Sequence, residues 1–178
     1  MGKRYNQPFG LVALGLFKDQ DDIANSPTQQ FGTVRPGDIK YLDYNNDGVV
    51  NAFDAIAIGN PAVPESIYGF GTTVAYKGFD VSVFFQGNGG ASFNLGGTGW
   101  FPFQAGGLNG NVNINAVDRW TPENPRQDVL FPRLSFGDNT NNYQSSRWWQ
   151  RDGSYIRLKT AELGYTIPKS LTKKLKIN

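Results

Sequence analysis

Twelve residues carry the sharpest chemistry in the chain: Asp43-Tyr-Asn-Asn-Asp-Gly-Val-Val-Asn-Ala-Phe-Asp54. Asp43, Asn45 and Asp47 occupy positions 1, 3 and 5 of a twelve-residue calcium loop and present side-chain oxygens. Gly48, at position 6, permits the sharp turn, and Val49, at position 7, offers its backbone carbonyl. Asn51, at position 9, ligates directly or through water, and Asp54 closes the loop at position 12. Calcium is a hard ion that takes about six to eight oxygens, and this spacing wraps them around one point. Asp at position 12 is one methylene shorter than Glu, and only Asp43, Asp47 and Asp54 bring carboxylates. The expected affinity is therefore modest, in the range of about 10⁻⁴ to 10⁻³ M typical of extracellular modules. An Asx-rich turn with no metal is the plainer alternative. Agreement at seven positions favours calcium in a structural role.

The composition removes most other chemistry. The chain has 178 residues with neither Cys nor His. That excludes disulfides, thiol nucleophiles, zinc knuckles, Ser–His or Cys–His catalysis and a histidine pH switch. A net charge of +2 gives no electrostatic reason to expect nucleic acid. Glycosidic chemistry needs two carboxylates at a fixed separation, and outside the calcium loop no pair stands out, so no enzyme is expected. Asp21-Asp22 reads as a solvated helix start. No apolar run approaches the roughly 18 residues of a membrane helix, and Phe9 to Phe17, the longest, is interrupted by Gly10 and Gly15. No apolar h-region follows Met1-Gly2-Lys3-Arg4. What remains is rich in Gly, Asn and aromatics, with 18% charged residues. Such a composition suits strands joined by long polar loops.

Strands can be read from period-2 alternation. In Ile67 to Gly87, Tyr68, Phe70, Thr72, Val74 and Tyr76 share one face, and Gly69, Gly71, Thr73 and Ala75 the other. Lys77-Gly78 makes a tight turn. On the return, Phe79, Val81, Val83 and Phe85 oppose Asp80, Ser82, Phe84 and Gln86. Each arm has the length of a tilted membrane strand, with aromatics towards the ends of the apolar face as in a lipid-facing girdle. A sandwich hairpin is the alternative for this segment alone. A third strand is expected over Ser154–Thr166, with Ala161, Leu163 and Tyr165 on one face. Arg157 and Lys159 share the parity of Ala161, so that half is expected to stand above the bilayer. Lys173–Asn178 reads as the start of a fourth strand without a partner, which suggests a truncated chain. Phe9–Phe17 is a further candidate strand, Lys18–Ala24 a helical turn, and Asn113–Trp120 a short helix.

Between the short connections at Lys77-Gly78 and Pro168 lies a long one, Asn88 to Gly153. Compact domains rarely hold such a loop, whereas outer-membrane barrels pair short periplasmic turns with long outer loops. The loop carries Trp100, Trp120, Trp148 and Trp149, which could stack on sugar rings or simply pack. This gives an all-β chain of antiparallel membrane strands. Residues 1–66 form an extracellular loop region containing the 43–54 calcium loop, and residues 67–178 form barrel hairpins with an extracellular loop over 88–153.

Four stretches resemble the SusC/RagA family of TonB-dependent outer-membrane transporters, near the C-terminal end of that family's chain. Phe31-Gly-Thr-Val-Arg-Pro-Gly-Asp-Ile-Lys-Tyr-Leu-Asp43 runs into the calcium-type loop. Tyr68-Gly-Phe-Gly and Tyr76-Lys-Gly-Phe-Asp-Val-Ser-Val-Phe-Phe-Gln-Gly87 look like the family's hairpin. Arg119-Trp-Thr-Pro-Glu-Asn-Pro125 and Pro132-Arg-Leu134 match a loop signature. Arg151-Asp-Gly-Ser-Tyr-Ile-Arg-Leu-Lys159 and Leu163-Gly-Tyr-Thr-Ile-Pro-Lys-Ser-Leu171 look like a late strand and its turn. The resemblance implies about 3–4 strands of a 22-stranded barrel in the bacterial outer membrane. It also implies import of glycans or peptides beneath a SusD-type surface lipoprotein, and energy from TonB through a plug region absent here. A soluble calcium-stabilised β-sandwich that binds carbohydrate is the alternative. A dockerin-like adhesion module would need a second calcium loop.

Overall fold

A computed structural model describes residues 2–97, 99–103, 112–137, 139–169 and 172. Its strands in chain order are β1 (Phe9–Gly10), β2 (Ala13–Leu16), β3 (Thr28–Gln29), β4 (Ile39–Tyr41), β5 (Val49–Val50) and β6 (Ile56–Ala57). They continue as β7 (Ser66–Tyr76), β8 (Phe79–Gly89), β9 (Ser92–Asn94), β10 (Gln150–Asp152) and β11 (Tyr155–Tyr165). Among the elements described in full, the helical ones are a short helix, α1 (Gln20–Ala24), and 3₁₀ turns at Ala52–Asp54 and Ile114–Val117. The expected strand beginning at Lys173–Asn178 lies outside the described residues. Contacts divide the chain into two compact units. Met1–Pro61 and Ser92–Asp152 form one, Ala62–Ala91 and Gly153–Asn178 the other. The first 61 residues and most of the long connection thus pack together, a grouping that no linear reading produces.

In the first unit the strands are short and pair as β1–β6, β2–β4, β9–β10 and, in parallel, β3–β5. The expected strand Phe9–Phe17 breaks in two because the chain changes partner at Leu11. Leu11 N–H donates to the Ser145 carbonyl at 2.9 Å, and Arg147 N–H donates to the Leu11 carbonyl at 3.0 Å. Gly10 permits that approach, since a Cβ there would lie 2.5 Å from the Ser145 oxygen. Strands this short leave many backbone groups without ladder partners, and buried groups must be paired. Side chains take over: Gln127 accepts from Leu16 N–H at 2.7 Å and donates back to the Leu16 carbonyl at 3.2 Å. The core gathers Leu16, Ile39, Tyr41, Val50, Phe131 and Trp149. Phe101 stacks on Tyr143 at 4.3 Å and meets Trp149 edge-on at 5.0 Å. In α1, Asp19 caps the start by accepting from Asp22 N–H at 2.7 Å. Asp22 is not purely solvated, because its carboxylate pairs with Lys40 at 2.7 Å.

The second unit is one antiparallel sheet ordered β11-β8-β7. Lys77 and Gly78 both take positive φ, 49° and 87°, the two-residue turn whose twist matches a hairpin. Register places Phe70 opposite Phe85, Val74 opposite Val81 and Tyr76 opposite Phe79, so the expected apolar face is one continuous face. β11 extends it with Leu163 opposite Val81 and Tyr165 opposite Phe79.

One expectation is corrected. The register shifts between Leu158 and Thr160, so Lys159 is a bulge. Strict alternation therefore fails across it. Leu158 pairs with Phe85 and Ile156 with Gly87 on the apolar face, while Arg157 pairs with Gln86 on the polar face. Arg157 does not share the face of Ala161, so its charge gives no reason to lift this half of the strand out of a membrane.

Candidate functional site

The first candidate is the Asp43–Asp54 loop. Gly48 holds φ of 86°, the left-handed value the turn requires. Asp43 accepts from Asp47 N–H at 3.3 Å and from Gly48 N–H at 2.8 Å. Asn45 accepts from Asp47 N–H at 3.0 Å and donates to the Asp47 carboxylate at 2.8 Å. Asp47 in turn accepts from Val49 N–H at 2.9 Å. Asp54 is fully buried and accepts from Tyr44, Asn45 and Asn51 N–H groups at 2.8, 3.3 and 2.8 Å. Burial alone would raise the Asp54 pKa, but those backbone donors favour the carboxylate, and the balance lies below the ordinary value. Asn51 and Asp54 form a reciprocal capping box on the 3₁₀ turn.

Thr28 and Gln30 N–H groups donate to the Gly48 and Val50 carbonyls. The Val49 carbonyl therefore points away from β3, to the side of the Asp47 carboxylate. In chemistry the donors fit a hard cation, being carboxylate, carboxamide and carbonyl oxygens. Among the described residues no three carboxylates cluster closely enough to hold an ion by themselves. An ion here would depend on Asn45 and the Val49 carbonyl as well as on the acids.

The second feature was not assigned a role from sequence. Asp38 is fully buried, and its carboxylate accepts from Arg133 Nε at 3.2 Å and Nη2 at 3.1 Å. It also accepts from Arg35 N–H at 2.8 Å, Asn139 at 3.0 Å and Asn142 at 2.9 Å. Beside it, Asn142 accepts from Ile39 N–H at 2.8 Å, and Gln29 accepts from Tyr41 N–H at 2.6 Å. These amides complete the free side of β4 as a strand would. The network joins two of the stretches singled out above, Arg-Pro-Gly-Asp38 and Pro-Arg133-Leu, and its signal was the Asn-rich run Asn139-Thr-Asn-Asn142. Arg35, Arg133 and Asn139 reach the wall of an open cleft of about 460 Å³, but the Asp38 carboxylate that they share is enclosed, and the network holds the unit together.

The four tryptophans separate. Trp149 is buried, and its indole N–H donates to the Asn142 carbonyl at 2.7 Å. Trp120 is buried against Gly37, where a Cβ would meet its ring at 2.2 Å. Neither presents a face on which a sugar could stack, so packing replaces ligand contact for both. Trp100 stacks on Phe131 at 5.3 Å and is partly buried. Trp148, also partly buried, lines an open cleft with Leu14, Gln127, Arg147 and Arg151.

The third feature is the outward face of the second unit. Phe70, Val74, Leu158 and Leu163 are 55%, 62%, 52% and 77% exposed, with Phe79 and Tyr165 in ring contact at 4.4 Å beside them. On the opposite face Gly69 and Gly71 lie under the Phe84 ring, and Thr73 donates to Ser82 at 3.0 Å. An apolar face this large and uncovered marks contact with protein or membrane.

A scan against protein-family models finds none that matches the chain. The chain is similar to TonB-dependent receptor P26 of Formosa agariphila, with 38% identity over 160 residues, 89% of this chain. It is similar to TonB-dependent receptor P3 of the same organism at 31% identity over 140 residues, 78% of this chain. It spans 15% and 13% of the length of those relatives. Among solved structures it resembles the RagAB peptide importer in its open-open state, with a TM-score of 0.60 and 20% identity. That match covers 93% of this chain and 16% of that one. A structure of the RagAB peptide transporter matches with a TM-score of 0.61 and 20% identity, again over 93% of this chain and 16% of that one. At such identity the likeness is one of fold.

Proposed function

We propose that this chain, a segment of a TonB-dependent receptor of the SusC/RagA type, builds part of the membrane wall of an outer-membrane importer of glycans or peptides. The observation that carries the reading is the sheet β11-β8-β7, with one apolar exposed face and one polar face along three strands of 11 residues. Eleven residues at about 3.3 Å each, tilted by about 45°, rise about 26 Å. That matches the roughly 25 Å apolar band of a membrane barrel. The bulge at Lys159 supports the same reading, because it keeps Arg157 off the lipid face while Ile156 and Leu158 stay on it. A soluble sandwich would need a second layer over Phe70, Val74 and Leu163, which are exposed.

Under this reading residues 88–153 lie on the extracellular side, since periplasmic connections are short. The receptor works with a SusD-type surface lipoprotein and draws energy from TonB through a plug region outside this chain. The Asp43–Asp54 loop holds a structural calcium through Asp43, Asn45, Asp47, Asn51, Asp54 and the Val49 carbonyl. Bound there, the ion would tie the turn between β4 and β5 to the 3₁₀ turn that follows.

The test is a paired substitution in the full-length receptor. Val81→Arg should lower outer-membrane assembly, at a cost of about 2–4 kcal/mol near the midplane. Ser82→Arg, on the polar face, should be tolerated. The reverse pattern would invert the face assignment and remove the membrane-wall reading.

A further inference from the structure

Two arginines in the first unit converge without matching acids. Arg147 and Arg151 line a cleft of about 420 Å³ together with Leu14, Gln127, Val129 and Trp148, and no carboxylate lines it. They also line the neighbouring cleft beside Gly59 and Gln150, where Asp152 is the acid. The combined lining therefore carries two positive charges against one negative. The Arg151 guanidinium is held by backbone carbonyls, with Nη1 donating to Trp148 O at 2.7 Å and Gln150 O at 2.9 Å. Carbonyls fix its plane without neutralising it, so the remaining donors of its fork stay available. The Gln127 wall is fixed as well, by its two bonds to Leu16. Like charges held in one cleft repel, and an anion entering between them relieves that cost. Trp148 and Leu14 add apolar surface beside the charges, and a tryptophan ring is the flat platform on which a sugar stacks.

We propose that this cleft binds an acidic oligosaccharide, with Arg147 and Arg151 on its carboxylate or sulfate and Trp148 against its ring. This rests on the importer reading and names the substrate class at one of its surfaces. An acidic peptide is disfavoured because the Gln127 side chain already caps the outer edge of β2 at Leu16, which leaves the indole and the arginines rather than a free strand edge to read the ligand.

Titration calorimetry on the full-length receptor in detergent gives the test. The probes are a galacturonate tetramer, a sulfated heparin tetrasaccharide, neutral maltotetraose and a tetraglutamate peptide. The acidic sugars should bind, more weakly as salt rises, and the preferred one shows whether carboxylate or sulfate is read. Arg147→Gln and Arg151→Gln should each weaken binding by about tenfold or more, as expected for a lost charge-assisted hydrogen bond. Arg147→Lys should weaken it less, and unchanged thermal unfolding would show that these variants fold. Absence of binding by both acidic sugars, equal binding of maltotetraose, or variants that bind as wild type would overturn the site. Tighter binding of tetraglutamate would overturn the sugar class. Uptake by intact cells separates this from the importer reading. Binding that depends on Arg147 without accumulation of any labelled oligosaccharide keeps the cleft and removes the importer. Uptake that ignores both arginines does the opposite.

Discussion

Deleting Lys159 should leave every other side chain of β11 on its present face, whereas Leu158→Arg should put a charge into lipid. The bulge is the only register shift in the sheet of the second unit among the described residues, and it separates two parities of β11. With the extra residue gone, Leu158 opposite Phe85 and Thr160 opposite Phe84 become consecutive, so the strand alternates strictly and no side chain changes face. Arg157 stays opposite Gln86 on the polar face, whereas Leu158→Arg places a charge on the face of Leu163 and Tyr165. Leu158 lies two residues from the strand centre at Thr160. That is about 7 Å along the strand and, at a tilt of about 45°, about 5 Å from the midplane. Lysine or arginine on a lipid face costs about 2–4 kcal/mol at the midplane and about 0–1 near the interface, so about 1–3 kcal/mol applies at that depth. The loss of the Leu158 side chain from lipid adds to it. The assay is the yield of folded full-length receptor in outer membranes, read by heat-modifiable gel mobility, with urea unfolding in vesicles giving the free energy. Lys159→Ala keeps the bulge and should change stability by about 0.5 kcal/mol or less. A Leu158→Arg variant that assembles and unfolds like wild type, or a Lys159 deletion that fails to assemble, would refute the parity argument.

Four further outcomes are expected of the full-length receptor. Asp38→Ala should destabilise the fold by about 3–5 kcal/mol in chemical unfolding, because it strands Arg133 and the amides of Asn139 and Asn142 without their acceptor. Gly37→Ala should cost about 1–3 kcal/mol, since φ is 86° and the new Cβ would overlap the Trp120 ring; tryptophan fluorescence during unfolding reads it. Calorimetric titration with millimolar calcium should give binding heat in wild type and none in Asp47→Ala, and identical traces without heat would remove the calcium assignment. Asp22 has a folded pKa held below the ordinary carboxylate value, first by its hydrogen bond to Lys40, against partial burial. A depressed carboxylate contributes stability that is present above the unfolded pKa near 4 and lost as pH falls through the folded value. The stability difference between wild type and Lys40→Met should therefore be about 0.2–1 kcal/mol at neutral pH and shrink below about pH 4.

Several elements follow from local rules alone. Alternation from Tyr68 to Tyr76 and from Phe79 to Phe85, broken by Lys77-Gly78, specifies a hairpin because the side-chain period of a strand is two and Gly takes positive φ freely. Asp19 before Gln20–Ala24 marks a helix start because a short acceptor side chain reaches the first free N–H groups. The Asx spacing of Asp43 to Gly48 likewise specifies a turn, whatever ion it holds, since each acceptor reaches a backbone N–H a few residues on. What tertiary structure decided was of longer range. The bulge at Lys159 is invisible in an alternation count, because it appears only when β11 is laid on β8 and Leu158 meets Phe85. The fate of Trp120 depended on Gly37, far away in sequence, coming into contact with it, and that of Trp149 on the Phe101 and Phe131 rings closing around it. Asp38 and Arg133 stand 95 residues apart, and neither alone reveals that the other will bury and neutralise it. A local pattern fixes which backbone shapes a segment can take, whereas charge pairing and burial depend on which distant segments close the loop entropy between them.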